Sequence, residues 1–325
     1  RSVDYLLEST WHRFDHRSKD GLGRFLKRSR TTQLAPGITV SNQEVSISDS
    51  FDLSTDPVIG IRTAAVAAQA GLPISPTTMQ RLMSAYRDGI GDLPNPWPRA
   101  ARENLITLIG AGQPMIHIWE GLDQEEILFS WLPEWRAVRS LPQRNALHRH
   151  TVDRHMVETA VHAAALTRRV HRPDLLLFAA LFHDIGKGTQ EDHSERGEKL
   201  IAPLAARIGF SDSDIETIKL LVKHHLLLSA TATRRDLDDP ATIASVTAVI
   251  PDLQTLELLH ALSIADGQAT GRAAWSDWKD SLLSELVSRV KNALTDNTIA
   301  TRPIVTEEQM QYASTGQLRV VIEDR

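Results

Sequence analysis

Apolar residues recur at helical spacing along most of the chain, and this pattern constrains the fold more than any other feature of the sequence. Clear strand-like alternation is nearly confined to residues 37–48, where Ile38, Val40, Val45 and Ile47 flank a polar Ser-Asn-Gln turn. Short helical stretches separated by Pro and Gly precede residue 135, and longer helical stretches follow residue 151. The sequence therefore predicts an all-α protein with at most one small β-hairpin.

The charge balance and the cysteine content exclude several classes of function. The 325 residues include 36 Lys and Arg against 41 Asp and Glu, a net charge of −5, so no basic excess favours nucleic acid or an anionic membrane. No window approaches the roughly 20 apolar residues of a spanning helix. The absence of cysteine excludes disulfides, thiolate metal sites and a cysteine nucleophile. We expect a cytoplasmic protein without nucleic-acid or membrane partners, in which any metal is held by His, Asp or Glu.

Histidine is the unusual residue in this composition, since ten of the 13 histidines fall between His148 and His260. The Pro-containing polar segment SLPQRN, residues 140–145, directly precedes this part of the chain. We predict a domain boundary there. The predicted division is residues 1–140, residues 141–295 and a polar tail of residues 296–325.

The segment LLLFAALFHDIGKG places a dense apolar helix directly before His183 and Asp184. Burying an imidazole beside a carboxylate is costly without a compensating partner, and a metal ion would compensate both. Neighbouring residues on a helix project about 100° apart, so the pair converges only on something between them, and a carboxylate bridging two cations fits. A His–Asp hydrogen bond capping the helix end is the more common arrangement for an isolated dipeptide. The pair alone therefore does not identify a metal site.

Four further segments each offer a ligand type. They contribute His155 in an amphipathic stretch, His193 in DHSERGEKL, the pair His224 and His225 after IETIKLLVK, and Asp266 after LELLHALSIA. Asp266 is the most informative, because an unpaired carboxylate is rarely buried on a mostly apolar helix. It requires a cation nearby.

The order of these residues resembles the HD superfamily of metal-dependent phosphohydrolases. More narrowly, LHRHTVDRH, LFHDIGKG, DHSERGEKL, LVKHHLLLSATATRRDLDDP and SIADGQATG resemble the central region of the bifunctional enzymes that add and remove a nucleotidyl group on the nitrogen signal protein PII. The resemblance implies an HD helical bundle over residues 141–295 behind a helical linker domain with its small hairpin near residues 37–48. We find no Gly-rich loop with paired acids of the transferase type, and we expect residues 296–325 to lead towards C-terminal sensor domains that are absent from this sequence.

The same resemblance implies roles for individual residues. One divalent ion is assigned to His155, His183, Asp184 and Asp266, and a second to Asp184, His193 and His224, with His225 as a substitute or additional ligand. Asp184 and Lys187 are assigned to catalysis, Lys187 stabilising charge on the phosphoryl group unless it is simply a surface lysine. Arg234 and Arg235 either contact a substrate phosphate or pair with Asp238 and Asp239. The imidazole-rich set favours Mn²⁺, with Mg²⁺, Fe²⁺ or Zn²⁺ as alternatives.

The function implied is hydrolysis of a phosphodiester that links a nucleotidyl group, UMP or AMP, to a tyrosine of the nucleotidylated PII protein, with release of a nucleoside monophosphate. Two alternatives remain open. One is an HD-type hydrolase of free nucleotides, such as a nucleotidase, a cyclic-nucleotide phosphodiesterase or an alarmone hydrolase. The other is a catalytically silent module that keeps the metal for folding.

Overall fold

The computed structural model describes residues 31–143 and 149–296. The rest of the chain, including the predicted tail beyond residue 296, lies outside the described residues. The elements within it begin with a small antiparallel sheet of β1 (Thr32–Ala35), β2 (Ile38–Ser41) and β3 (Glu44–Ile47) in the order β1-β2-β3. All other regular elements described are helical, which confirms the all-α prediction.

The first group of helices surrounds a core rich in tryptophan. These helices are α1 (Ile59–Ala70), α2 (Pro76–Arg87), α3 (Arg99–Ile109), α4 (Gln113–Gln124) and the short α5 (Leu128–Trp131), followed by a 3₁₀ turn at Pro133–Ala137. Trp119, Trp131 and Trp135 are fully buried, and Trp97 nearly so, so these side chains fill the core. Their large apolar surfaces give this part of the molecule much of its hydrophobic stabilisation.

The second group contains the histidine-rich part of the chain. Its helices are α6 (Val152–Leu166), α7 (Pro173–Phe182), α8 (His193–Ile208), α9 (Asp212–Lys223), α10 (Leu227–Arg234), α11 (Pro240–Thr247), α12 (Leu253–Thr270) and α13 (Asp277–Asp296). Helix α7 is the central one, since every residue from Leu175 to Phe182 is buried. A helix that is apolar all round must lie inside a bundle, and α6, α9 and α12 pack around it.

The hairpin between β2 and β3 was predicted correctly from the alternation of residues 37–48. Asn42 and Gln43 form its turn with positive φ values of 51° and 60°, as a two-residue type I′ turn requires. Ile38, Val45 and Ile47 face the core. Backbone hydrogen bonds from Val45 to Pro73 and from Ser75 to Val45 tie the sheet to the loop between α1 and α2.

Buried contacts connect the two groups of helices across the predicted boundary at residue 140. Trp135 lies edge-on to Phe182, with ring centroids 6.2 Å apart. Arg154 on α6 forms ion pairs with Glu120 on α4 and with Glu158, the latter at 2.8 Å. The buried carboxylate of Asp153 accepts a hydrogen bond from the backbone N–H of Ser140 at 2.8 Å. One continuous hydrophobic cluster therefore supports both groups.

None of the described helices combines the length and the apolar character that a membrane span requires.

Candidate metal centre

The site is built around the residues that follow helix α7. The helix ends at Phe182, so His183 takes the C-cap position and Asp184 begins a turn in which the Lys187 N–H donates to the Asp184 carbonyl oxygen at 3.0 Å. His183 is fully buried and Asp184 is 2 % exposed. An imidazole and a carboxylate thus lie buried at the end of an apolar helix, where each needs a polar or ionic partner.

One oxygen of Asp184 faces a cluster of two histidines and a second aspartate. Asp184 Oδ2 lies 3.4 Å from His183 Nε2 and 3.7 Å from His155 Nε2. The Asp266 Oδ1 atom, contributed by α12, lies 3.0 Å from His155 Nε2 and 3.7 Å from His183 Nε2. The two Nε2 atoms are 3.3 Å apart. His155, His183 and Asp184 therefore form one group of candidate ligands within 4.8 Å of one another, and Asp266 lies beside this group through its contacts with the two histidines.

The other oxygen of Asp184 faces two further histidines. Asp184 Oδ1 lies 3.7 Å from His193 Nε2, at the first residue of α8, and 3.7 Å from His225 Nε2, just beyond α9. This oxygen is buried and has no hydrogen-bond partner among the described residues. Burying an ionised oxygen without a partner costs folding free energy, and a bound cation would remove that cost. The position of this oxygen therefore suits a metal ligand.

Two of the imidazoles are oriented by backbone carbonyl groups. His183 Nδ1 lies 2.9 Å from the Ala180 carbonyl oxygen, and His225 Nδ1 lies 2.7 Å from that of Val222. Because a carbonyl oxygen only accepts, each Nδ1 must carry the proton that it donates. The Nε2 atom of each ring then faces Asp184, and a hydrogen bond from the other ring nitrogen is how metal-binding histidines are commonly oriented.

The electrostatics of the cluster also suit a cation. Burial opposes the charges of His183 and Asp184, but their mutual attraction outweighs it, raising the pKa of His183 and holding that of Asp184 well below its usual value. Burial, together with the nearby His183, lowers the pKa of His225 to about 4. Burial also acts against ionised Asp266, yet the hydrogen bond from His155 brings its pKa down to about 2. The site holds ionised carboxylates that select positive charge.

The residues present fit divalent metal ions. Two ligand atoms about 2.1 Å from a common ion lie about 3.0–3.4 Å apart at octahedral or tetrahedral angles. The separations of 3.0–3.7 Å between the ligand atoms are close to these values. The residues form two triplets, and within each triplet one ligand atom from every residue lies within 4.8 Å of the other two. The first triplet is His155, His183 and Asp184, and the second is Asp184, His193 and His225. Asp184 belongs to both.

The Lys187 ammonium group lies beside the same aspartate. Lys187 Nζ is 2.6 Å from Asp184 Oδ2 and donates a hydrogen bond to Gln143 Oε1 at 2.7 Å. About a fifth of the side chain is exposed. This contact differs from that of a free surface lysine, because it places a positive charge against the central carboxylate.

A cavity of about 740 Å³ opens over the cluster. Its lining combines the ligands Asp184, His193, His225 and Asp266 with Lys187 and a set of apolar and neutral side chains: Leu141, Pro142, Gln143, Val152, Gly188, Thr189, Gln190, Leu226 and Thr270. Leu226 is 43 % exposed, which is unusual for a large apolar residue. The cavity can therefore hold a ligand that is charged at one end and apolar elsewhere.

The structure brings together most of the predicted site residues but separates three of them from the cluster. His224 belongs to neither triplet; it caps α9 and is only partly buried, whereas His225 reaches Asp184. Arg234 and Arg235 are exposed at the end of α10 and do not line the cavity. Asp238 pairs with Arg289 at 2.7 Å instead of with either arginine.

Gln143 and Leu226 line the cavity although the sequence analysis did not select them. Gln143 lies in the SLPQRN segment, which was interpreted only as a domain boundary. The position of Leu226 directly after His225 is the one local signal that could have indicated it.

Comparison with known proteins agrees with this geometry. The HD domain family model matches residues 152–266. The match begins at the first residue of α6 and ends at Asp266, so it encloses every ligand in the cluster.

The chain is also similar to larger proteins. It is 52 % identical over 261 residues to the bifunctional uridylyltransferase/uridylyl-removing enzyme of Streptomyces coelicolor, covering 80 % of this chain and 31 % of that protein. It is 42 % identical over 306 residues to the protein of the same name from Mycobacterium tuberculosis, covering 94 % of this chain and 37 % of that protein. It is 32 % identical over 257 residues to the protein of that name from Corynebacterium glutamicum, covering 79 % of this chain and 36 % of that protein. The chain thus spans about a third of the length of the relatives it matches.

Proposed function

Because this chain carries an HD domain and resembles the central part of bifunctional uridylyltransferase/uridylyl-removing enzymes, we propose that it removes a nucleotidyl group from a tyrosine of the PII signal protein. The reaction is hydrolysis of the phosphodiester bond, which returns the tyrosine hydroxyl and releases UMP or AMP. The observation that carries this proposal is the position of Asp184, whose two oxygens face two separate groups of ligands.

The proposal includes two divalent ions. His155, His183, Asp184 and Asp266 would hold the first, and Asp184, His193 and His225 the second. When bound, such ions neutralise charge on a phosphodiester and make water a better nucleophile near neutral pH. Mixed nitrogen and oxygen ligands favour Mn²⁺, Fe²⁺ or Zn²⁺ over a site built for Mg²⁺ alone, and Mn²⁺ is the ion we propose.

The remaining cavity residues would bind the substrate around the reacting phosphate. The Lys187 ammonium would stabilise negative charge on the phosphoryl oxygens or on the departing tyrosyl oxygen. Leu141, Pro142 and Leu226 offer an apolar surface on which the tyrosyl ring or the nucleobase can pack, excluding water from the phosphate. We assign His225 to the second ion in place of His224, because of these two neighbours only His225 has its ring near Asp184.

The test is to incubate nucleotidylated PII with the protein and Mn²⁺ and to follow the intact mass of PII. We expect loss of one nucleotidyl group per modified subunit. Separate reactions with uridylylated and adenylylated PII identify the base that is accepted, and reactions with free nucleotides test the alternative of a small-molecule hydrolase.

Asp184→Asn is the matched control, since it removes the shared charge with almost no change in shape. We expect its rate to fall by more than about a hundredfold, because it removes the charge that both ions would share, and residues that only support metal ligands already cost about 10–100-fold when they are lost. Undiminished removal by Asp184→Asn, or no removal by the unaltered protein, would refute the proposed function.

A further inference from the structure

Two oxygen atoms share the Lys187 ammonium group. Nζ lies 2.6 Å from Asp184 Oδ2 and 2.7 Å from Gln143 Oε1. The amide of Gln143 is itself held, since its Nε2 donates to the His150 carbonyl oxygen at 3.4 Å. All three side chains, those of Gln143, Asp184 and Lys187, line the same cavity.

These two contacts have different consequences once a cation enters the site. Asp184 Oδ2 is the oxygen that faces His183 Nε2 at 3.4 Å and His155 Nε2 at 3.7 Å, so a cation bound among these residues needs it. The Lys187 ammonium and that cation would then compete for one carboxylate oxygen and repel each other. The Gln143 amide oxygen is neutral and lies outside the ligand cluster, so a bound cation would not compete with Lys187 for it.

We propose that Gln143 is a positioning residue that keeps the Lys187 ammonium in the cavity while Asp184 binds metal. Gln143 gives the Lys187 ammonium group a second hydrogen-bond acceptor. When a cation binds Asp184 Oδ2, the ammonium group can leave that oxygen and still stay in the cavity. Lys187 then remains where the phosphoryl group of a substrate lies. This inference rests on the proposed function, because it assigns Gln143 a part in the same hydrolysis.

A double-mutant cycle tests the coupling between Gln143 and Lys187. The variants are Gln143→Leu, which keeps the approximate volume and removes the acceptor, Lys187→Ala, and the combination of both. The probe is bis(4-nitrophenyl) phosphate with Mn²⁺. We expect Gln143→Leu to lower kcat about tenfold with little change in KM, the size of effect typical for one hydrogen bond to a charged group. In the Lys187→Ala background, Gln143→Leu should cause no further loss.

The matched control is Gln80→Leu, because the substitution is identical and Gln80 is an exposed residue of α2 that does not line the cavity. Gln80→Leu should leave kcat within about twofold of the unaltered protein, as expected for an exposed side chain away from the site. Gln143→Glu retains an acceptor of the same reach, and we expect it to recover most of the kcat that Gln143→Leu loses.

Mn²⁺ affinity, measured by calorimetry without substrate, supplies a readout that does not depend on activity. Without Gln143 the ammonium has only Asp184 as a partner and competes more strongly with the ion. Gln143→Leu should therefore weaken Mn²⁺ binding several-fold, and the effect should disappear in the Lys187→Ala background.

Additive losses in kcat, or equal effects of Gln143→Leu with and without Lys187, would overturn the role of Gln143. An equal loss from Gln80→Leu would also overturn it. If the unaltered protein fails to cleave nucleotidylated PII, the proposed function fails, while the Mn²⁺ cycle still decides whether Gln143 acts through Lys187.

Discussion

At the scale of single residues, the end of helix α9 distinguishes two adjacent histidines. The helix ends at Lys223, and the chain then turns so that the ring of His225 is buried against Asp184. His224 remains half-buried at the cap, where burial and then the neighbouring Lys223 lower its pKa. Only one of the two can contribute to the second ligand group.

We therefore expect different results from His225→Ala and His224→Ala. His225→Ala should remove one of the two proposed Mn²⁺ ions and lower kcat by about a hundredfold. Loss of a metal ligand should reduce activity at least as much as loss of a residue that only orients a ligand, which costs about 10–100-fold. His224→Ala should retain both ions and most of the activity. Metal content by mass spectrometry and hydrolysis rates for the pair check this; equal losses in both variants would contradict it.

Residue identities in the cluster were largely predictable, and the choice between His224 and His225 was not. His155, His183, Asp184 and Asp266 stand out because each is a ligand type in or beside an apolar segment, whereas His193, in the polar segment DHSERGEKL, was selected through the family resemblance. The choice between neighbours depends on where α9 unwinds and how the following turn packs, and neither follows from local spacing. Gln143 was missed for the same reason, since its contact with Lys187 joins residues 44 positions apart.

At the scale of elements, the loop between α7 and α8 places His193. A Cβ atom at Gly186 would collide with the His193 carbonyl oxygen and lie 2.6 Å from the Gly197 backbone nitrogen. Arg196 reinforces this contact, since its guanidinium donates to the Gly186 carbonyl oxygen at 3.0 Å. The absence of a side chain at Gly186 thus lets the loop pack closely against the start of α8, which carries His193.

Gly186→Ala should separate the loop from α8 and displace His193. We expect a loss of about 2 kcal/mol in the free energy of unfolding, typical of overpacking, together with loss of most hydrolytic activity. Gly71→Ala is a useful comparison because Gly71 has φ +63° but open space around it. That variant should lose about 1 kcal/mol from backbone strain and keep full activity. Denaturant unfolding and hydrolysis rates, measured on both variants, separate the effects; normal activity in a folded Gly186→Ala protein would contradict this account.

Element boundaries were predictable where the chain carries its own signals. Helix α2, Pro76–Arg87, is one of these cases, because Ser75 caps it and Pro76 suits its first turn. Helical spacing alone does not show where residues 121–135 divide into the end of α4, the short α5 and a 3₁₀ turn. The strand β1 was missed, making the sheet three-stranded instead of a hairpin, because Thr32, Gln33 and Leu34 are exposed and show no alternation.

At the scale of the whole molecule, the candidate metal ligands come from distant parts of the chain, so the proposed metal binding requires the complete fold. His155 and Asp266 lie on different helices, α6 and α12, which pack against each other and against α7. A cation that binds only when these helices are packed stabilises the folded state over the unfolded chain.

Adding Mn²⁺ to the metal-free protein should therefore raise the temperature of thermal unfolding. At a free concentration of 100 times Kd the gain is about 2.7 kcal/mol, which corresponds to a shift of several degrees for a protein of this size. Calorimetry with and without Mn²⁺ measures it, with EDTA reversing the shift. Asp184→Asn should show little shift, and an equal shift in that variant would place the ion elsewhere.

The location of Asp266 near the end of the HD match has a consequence for synthesis. Translation delivers His155, His183, Asp184, His193 and His225 first, and Asp266 only after α12 has been made. The complete pocket therefore cannot form around a nascent chain until α12 has left the exit tunnel of the ribosome.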